Sequence, residues 1–192
     1  MFFGPSSRRW WRRTAEAVSL TMSEPTKPII PRQPIRIRPW VEDDLPQMLH
    51  LLRASGVSPV QDVLCALQES NALAYSAVST ADHQFDDLVT GFLLVRRYPS
   101  SSWLTHLAVL PSRRRKLIGT RLVHAAVTEL YQENRNRVRA MVQENDLAAQ
   151  LFFQSISFHW IETLPAERGD ATQYVLEFRP GKSRYESAPV RG

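Results

Sequence analysis

Leu107-Ala108-Val109-Leu110-Pro111-Ser112-Arg113-Arg114-Arg115-Lys116-Leu117-Ile118-Gly119-Thr120-Arg121-Leu122 reads as a buried strand, a basic loop and the first turns of an apolar helix. That order gathers backbone N–H groups and four adjacent cations, Arg113 to Lys116, at one point. A helix N-terminus carries about half a positive charge and several unpaired donors, so phosphate is its natural guest. Gly119 lets the backbone approach such a guest. Gly119→Arg is therefore expected to fill the site while leaving the fold intact. The competing reading is a solvated basic turn that only opens a helix.

Outward from this stretch the pattern is regular. Ile35 to Arg38 alternates as a strand, and Glu42-Asp43-Asp44 opens a helix with Pro46 in its first turn, where proline is tolerated. A second helix is expected over Val60 to Gln68. Strands follow at Leu73 to Ser79, Leu88 to Tyr98 and Ser102 to Leu110, with a polar hairpin region at 82–87. Ile118, Leu122, Ala126 and Leu130 recur at steps of four and predict a helix from Leu117 to Asn134. Val138 to Gln143 is a strand. Asp146 to Ile156 is a short amphipathic helix with Leu147, Ala148, Leu151 and Phe152 inward. Two last strands fall at Phe158 to Leu164 and Thr172 to Phe178. The order β-α-α-β-β-β-α-β-α-β-β predicts an α/β (α+β) fold, with one mixed sheet between helices on both faces.

The 192 residues, 43% apolar and 22% charged, suit one domain with tails. That domain is expected over 34–179, after an uncompacted basic and proline-rich extension at 1–33 and before a flexible tail at 180–192. Met22 is an alternative start. Residues 1–21 hold Arg8, Arg9, Arg12 and Arg13 against Glu16, so most of the net charge of +5 lies outside the domain. Nucleic acid is therefore not an expected partner, although this arm and the 113–116 loop are where one would bind. Cys65, the single cysteine, excludes an internal disulfide and is read as a buried, inert thiol. The five histidines show no metal-binding spacing, so no metal is expected. No apolar run approaches a membrane span and no secretory signal pattern is present, so a cytoplasmic protein without a membrane partner is expected. It is expected to be a monomer or homodimer.

Arg114-Arg115-Lys116-Leu117-Ile118-Gly119, the strand Leu107-Ala108-Val109-Leu110-Pro111 before it, Val89-Thr90-Gly91-Phe92-Leu93, and the run from Asp146 through Ala149 and Phe152-Phe153 to Ser157-Phe158 together resemble the GCN5-related N-acetyltransferase (GNAT) family. The likeness spans nearly all of Ile35 to Phe178. It implies a mostly antiparallel central sheet and transfer of an acetyl group from acetyl-CoA to an amine of a small molecule or protein. Acetyl-CoA would lie between the strands ending at Val109 and Val142, its pantetheine arm along Leu107, Ala108 and Val109. Its pyrophosphate would sit on Arg114, Arg115, Lys116, Leu117, Ile118, Gly119 and Thr120, with Asp146 (or Asn145) and Phe153 completing the cofactor set. The chain departs from the family pattern at four places. Leu117 replaces a loop glycine and is expected to keep ordinary backbone angles. Phe153 stands where relatives place a proton-donating tyrosine, Met141 where some carry a glutamate, and Ser157 where a turn glycine is usual. Glu144 and His106 are the remaining candidate catalytic groups. His106 is out of phase with Leu107 and Val109 and so is expected to face the other side of the sheet. The departures also suggest an alternative, a GNAT-fold module that binds an acyl-CoA or a partner without turnover.

Overall fold

A computed structural model describes residues 34–56, 60–79, 88–165 and 172–179. The basic extension at 1–33 with Met22, the 82–87 hairpin and the tail at 180–192 lie outside the described residues. Seven strands, β1 (Ile35–Pro39), β2 (Ala72–Ser79), β3 (Leu88–Arg97), β4 (Ser102–Val109), β5 (Val138–Gln143), β6 (Phe158–Leu164) and β7 (Gln173–Phe178), form one sheet in the order β1-β2-β3-β4-β5-β7-β6. All neighbours are antiparallel except β4 and β5. Four helices complete the fold: α1 (Leu45–Ala54), α2 (Val60–Leu67), α3 (Ile118–Gln132) and α4 (Leu147–Ser155). Their order along the chain is the one expected.

The sheet is covered on both faces. Met48, Leu51 and Leu52 of α1 and Val63 and Ala66 of α2 bury Phe92, Leu94 and Ala108 on one face. Ile118, Leu122, Val123, Ala126 and Leu130 of α3 bury Ala77, Leu93 and Val95 on the other, where α4 contributes Phe153. Burial of such side chains is worth about 1.5–3 kcal/mol each and is the main stabilising term. Gly91 lets α3 sit close: a Cβ there would lie 2.8 Å from Ile118 Cγ2. Where β1 meets α1, buried Asp44 takes Arg38 on both carboxylate oxygens (2.7 and 2.8 Å) and the Ser76 hydroxyl at 2.7 Å.

Two expectations are corrected. On α4 the inward stripe is Ala149, Phe152, Phe153 and Ile156, whereas Ala148 is exposed and Leu147 and Leu151 are 62% and 56% exposed. The helix is apolar around most of its circumference, so its pattern allows two inward faces, and the larger aromatic pair takes the core. Cys65 is exposed, because Val60, Val63, Ala66 and Leu67 form the inward stripe of α2 and place position 65 on the opposite side. Among the described residues no helix is long and apolar enough to cross a membrane.

Candidate functional site

The site lies where β4 parts from β5. The two pair in parallel only at Ser102 to Leu104 against Val138 to Ala140. Beyond that point each strand is held from its outer side alone, β4 by β3 and β5 by β7. The Leu110 N–H donates to the Thr90 carbonyl at 3.0 Å and so points toward β3. Alternation then turns the N–H and C=O groups of Leu107 and Val109 into the opening. Thr105 is an extra residue in β4: Leu94 faces His106 while Val95 faces Leu104. Such a bulge re-aims the side chains that follow it. Leu104 therefore joins the α3 core, whereas His106 shares the opposite face with Leu94, as its phase with Leu107 predicts.

The basic loop stands at the mouth of this opening. Pro111–Arg113 is a short 3-10 turn, in which the Arg113 and Arg114 N–H groups bond the Leu110 and Pro111 carbonyls. The next six, from Arg115 to Thr120, find no acceptor among the described residues. Arg115 (φ +60°) and Leu117 (φ +59°) are left-handed, and a loop built on such turns curls its N–H groups toward a common centre. Leu117 is also the N-cap of α3 and has no side-chain acceptor for the first-turn donors. Arg114, Arg115 and Lys116 are exposed beside them. The Arg114 Nε–H donates to the Val109 carbonyl at 3.3 Å, which ties the loop to the edge of the opening. The residues fit a ligand whose phosphates rest on the loop and whose amide-bearing arm bonds β4 as an added strand does.

Leu107 to Val109 and Arg114 to Thr120 are thus brought together, with two corrections. Leu117 does not keep ordinary backbone angles but adopts the left-handed conformation, its side chain 69% exposed. Gly119 turns inward: a Cβ there would lie 3.2 Å from Phe152 and 3.8 Å from Leu107. The glycine makes room for α4, so Gly119→Arg would disturb the fold as well as the loop.

The other candidates are spread around the opening. Asp146 caps α4, its carboxylate accepting from the Ala149 N–H at 2.9 Å. Phe153 is buried, its ring in edge contact with Phe152 and Phe158 at 5.2 and 5.1 Å. Glu144 follows the end of β5, where its N–H bonds Thr172 and its carboxylate accepts from the Tyr174 hydroxyl at 3.2 Å. Gln150, not singled out from the sequence, donates from one amide to the carbonyls of Gln143 (3.1 Å) and Glu144 (2.7 Å). It holds the free end of β5, a role that only the folded contact reveals. Met141 is 45% exposed on β5. His106 is half-buried, and its Nδ1 is enclosed without a partner. Burial, and to a lesser extent Arg96, hold its pKa below the ordinary value against an opposing pull from Asp62. Among the described residues no group of His, Cys, Asp or Glu gathers to hold a metal ion.

Residues 37–158 match the model of the acetyltransferase (GNAT) family. No curated protein matches the sequence of the chain. Among solved structures, the ribosomal-protein-S18-alanine N-acetyltransferase of Escherichia coli is 18% identical, with a TM-score of 0.62 over 79% of this chain and 99% of that one. NAA60 of Arabidopsis thaliana in complex with acetyl-CoA is 16% identical, with a TM-score of 0.62 over 76% and 98%. The PaiA N-acetyltransferase of Thermoplasma acidophilum in complex with coenzyme A is 18% identical, with a TM-score of 0.58 over 77% and 99%. These likenesses are of fold.

Proposed function

The chain belongs to the GNAT acetyltransferase family, and on that premise we propose that it transfers an acetyl group from acetyl-CoA to a primary amine of a small molecule or protein. The observation that carries this reading is the end of β4–β5 pairing at Leu104 and Ala140, with β4 running on to a loop and the first turn of α3, where the six N–H groups of Arg115 to Thr120 find no acceptor among the described residues. Acetyl-CoA, when bound, supplies an acetyl thioester. The N–H groups of Arg115 to Thr120 hold its pyrophosphate, and Arg114, Arg115 and Lys116 offset the charge. Leu107 and Val109 bond the pantetheine arm through the main chain, and one of their N–H groups stabilises the oxygen that gains charge as the amine attacks. One such donor is commonly worth about 10²–10³ in rate. A protein amine as acceptor is supported by the E. coli relative, whose name specifies an alanine of a ribosomal protein.

The test is CoA release, followed with a thiol reagent, from acetyl-CoA and a panel of primary amines and short peptides. Amine-dependent release supports the reading. Saturable binding with no release for any amine favours a second reading, a module that binds acyl-CoA without turnover. The burial of Phe153 and the neutral, exposed Met141 speak for that second reading, since neither position offers an acid or a base.

A further inference from the structure

The acetyl-transfer reading gives the pyrophosphate and the pantetheine arm their places but leaves the adenosine end of the cofactor without a seat. In that reading the arm enters the opening along β4, so the adenosine leaves the pyrophosphate on the outer side, past the first turn of α3. The element that borders this turn is α4: a Cβ on Gly119 would lie 3.2 Å from the Phe152 ring. Leu151 stands next to Phe152 on the outer side of α4, and Leu147 one turn before it. Residues four apart on a helix share one strip. These two leucines are 56% and 62% exposed, whereas Ala149, Phe152, Phe153 and Ile156 turn to the core. One exposed leucine is ordinary on a protein surface. Two in a strip beside a row of unengaged donors and cations mark a place where an apolar part of the same ligand can rest.

We propose that Leu147 and Leu151 form the platform for the adenine ring of acetyl-CoA and so select the thioester donor. This rests on the acetyl-transfer reading, whose cofactor it completes. An adenine ring is planar, with apolar faces and polar edges. It lies flat on leucine side chains while its edge nitrogens stay in water, and both surfaces lose contact with solvent. The neighbouring charges suit the rest of the nucleotide. Lys116 on the loop and Arg121 on α3 are exposed, and cations there offset the phosphate carried by the ribose. Donor choice follows from the strip. An acetyl thioester on a bare phosphopantetheine arm, free or attached to a carrier protein, has no adenine ring and gains nothing from the two leucines. The chain therefore favours acetyl-CoA over the same acetyl group carried on phosphopantetheine alone.

The experiment combines NMR of the full chain carrying methyl-labelled leucine with calorimetry, both using acetyl-CoA. The single variants Leu147→Gln and Leu151→Gln identify the two leucines' methyl signals by their loss. The expected result is a set of nuclear Overhauser contacts from the adenine H2 and H8 protons to the methyl groups of both leucines. In calorimetry the double variant should bind acetyl-CoA about tenfold more weakly, the effect of losing part of one leucine's burial. Binding in which the adenine protons touch neither leucine overturns the platform and leaves the acetyl-transfer reading standing. A double variant with wild-type affinity does the same. No binding to the folded wild type overturns both.

Discussion

Leu117 carries the sharpest conflict between residue type and backbone, a left-handed leucine at φ +59° with ψ +15°. That conformation costs an L-residue about 1–2 kcal/mol. Glycine there would be free of it but would lose about 0.5–1 kcal/mol through its looser unfolded chain. Leu117→Gly is therefore expected to raise stability by about 0.5–1 kcal/mol, read as a higher urea midpoint at unchanged slope. Acetyl-CoA affinity should hold or improve, because the backbone donors stay in place. Gly119 behaves oppositely. Gly119→Ala sets a methyl group 3.2 Å from the Phe152 ring, which must yield by a few tenths of an ångström. An overpacking cost of about 1–3 kcal/mol is offset in part by the roughly 0.5–1 kcal/mol that alanine gains over glycine within a helix. A net loss of about 0.5–2 kcal/mol is expected, with weaker acetyl-CoA binding. A thermal scan and a titration of the same variant check both effects.

At the scale of elements, three helices end on a left-handed residue one position past the C-cap: Gly56 after α1, Asn134 after α3 and Ser157 after α4. Glycine and asparagine suit that position and serine does not, so Ser157→Gly is expected to stabilise the protein by about 0.5–1 kcal/mol. Asp146→Ala, which removes the N-cap of α4, should cost about 1 kcal/mol by the same thermal measurement. Element order was legible because each strand and helix has its own period, and α3 could be read from Ile118, Leu122, Ala126 and Leu130 alone. The inward face of α4 was not legible. Its nine residues LAAQLFFQS hold six apolar ones, and contacts made in the fold, Phe153 with Phe158 and Phe152 beside Gly119, select the Phe152–Phe153 side. The loop's cations were plain in the sequence. Its left-handed turns were not, since neither Arg115 nor Leu117 signals positive φ, and neither was the close packing of Gly119 against Phe152.

Across the whole molecule, the parted sheet is held by pins at its margins. Asp44 joins β1, α1 and β2 through Arg38 and Ser76. Burial raises its pKa, but the hydrogen bonds from Arg38, Ser76 and the Val41 N–H outweigh this and leave it below the ordinary 3.8. Its contribution is thus complete above pH 3.8 and is lost as pH falls through the lower folded value. Asp44→Ala is expected to cost about 3 kcal/mol at neutral pH and to flatten this acid limb in denaturation curves. His106 adds a second limb of the same sign: its folded pKa is depressed, so stability present above 6.5 declines on acidification toward that folded value, and His106→Gln should remove the decline. The central claim, that the parted strands and the six-donor loop form an acetyl-CoA site, is tested most directly by calorimetric titration of the full chain with acetyl-CoA. The account predicts saturable one-to-one binding that weakens as salt is raised. A folded protein that takes up no acetyl-CoA at any accessible concentration would contradict it.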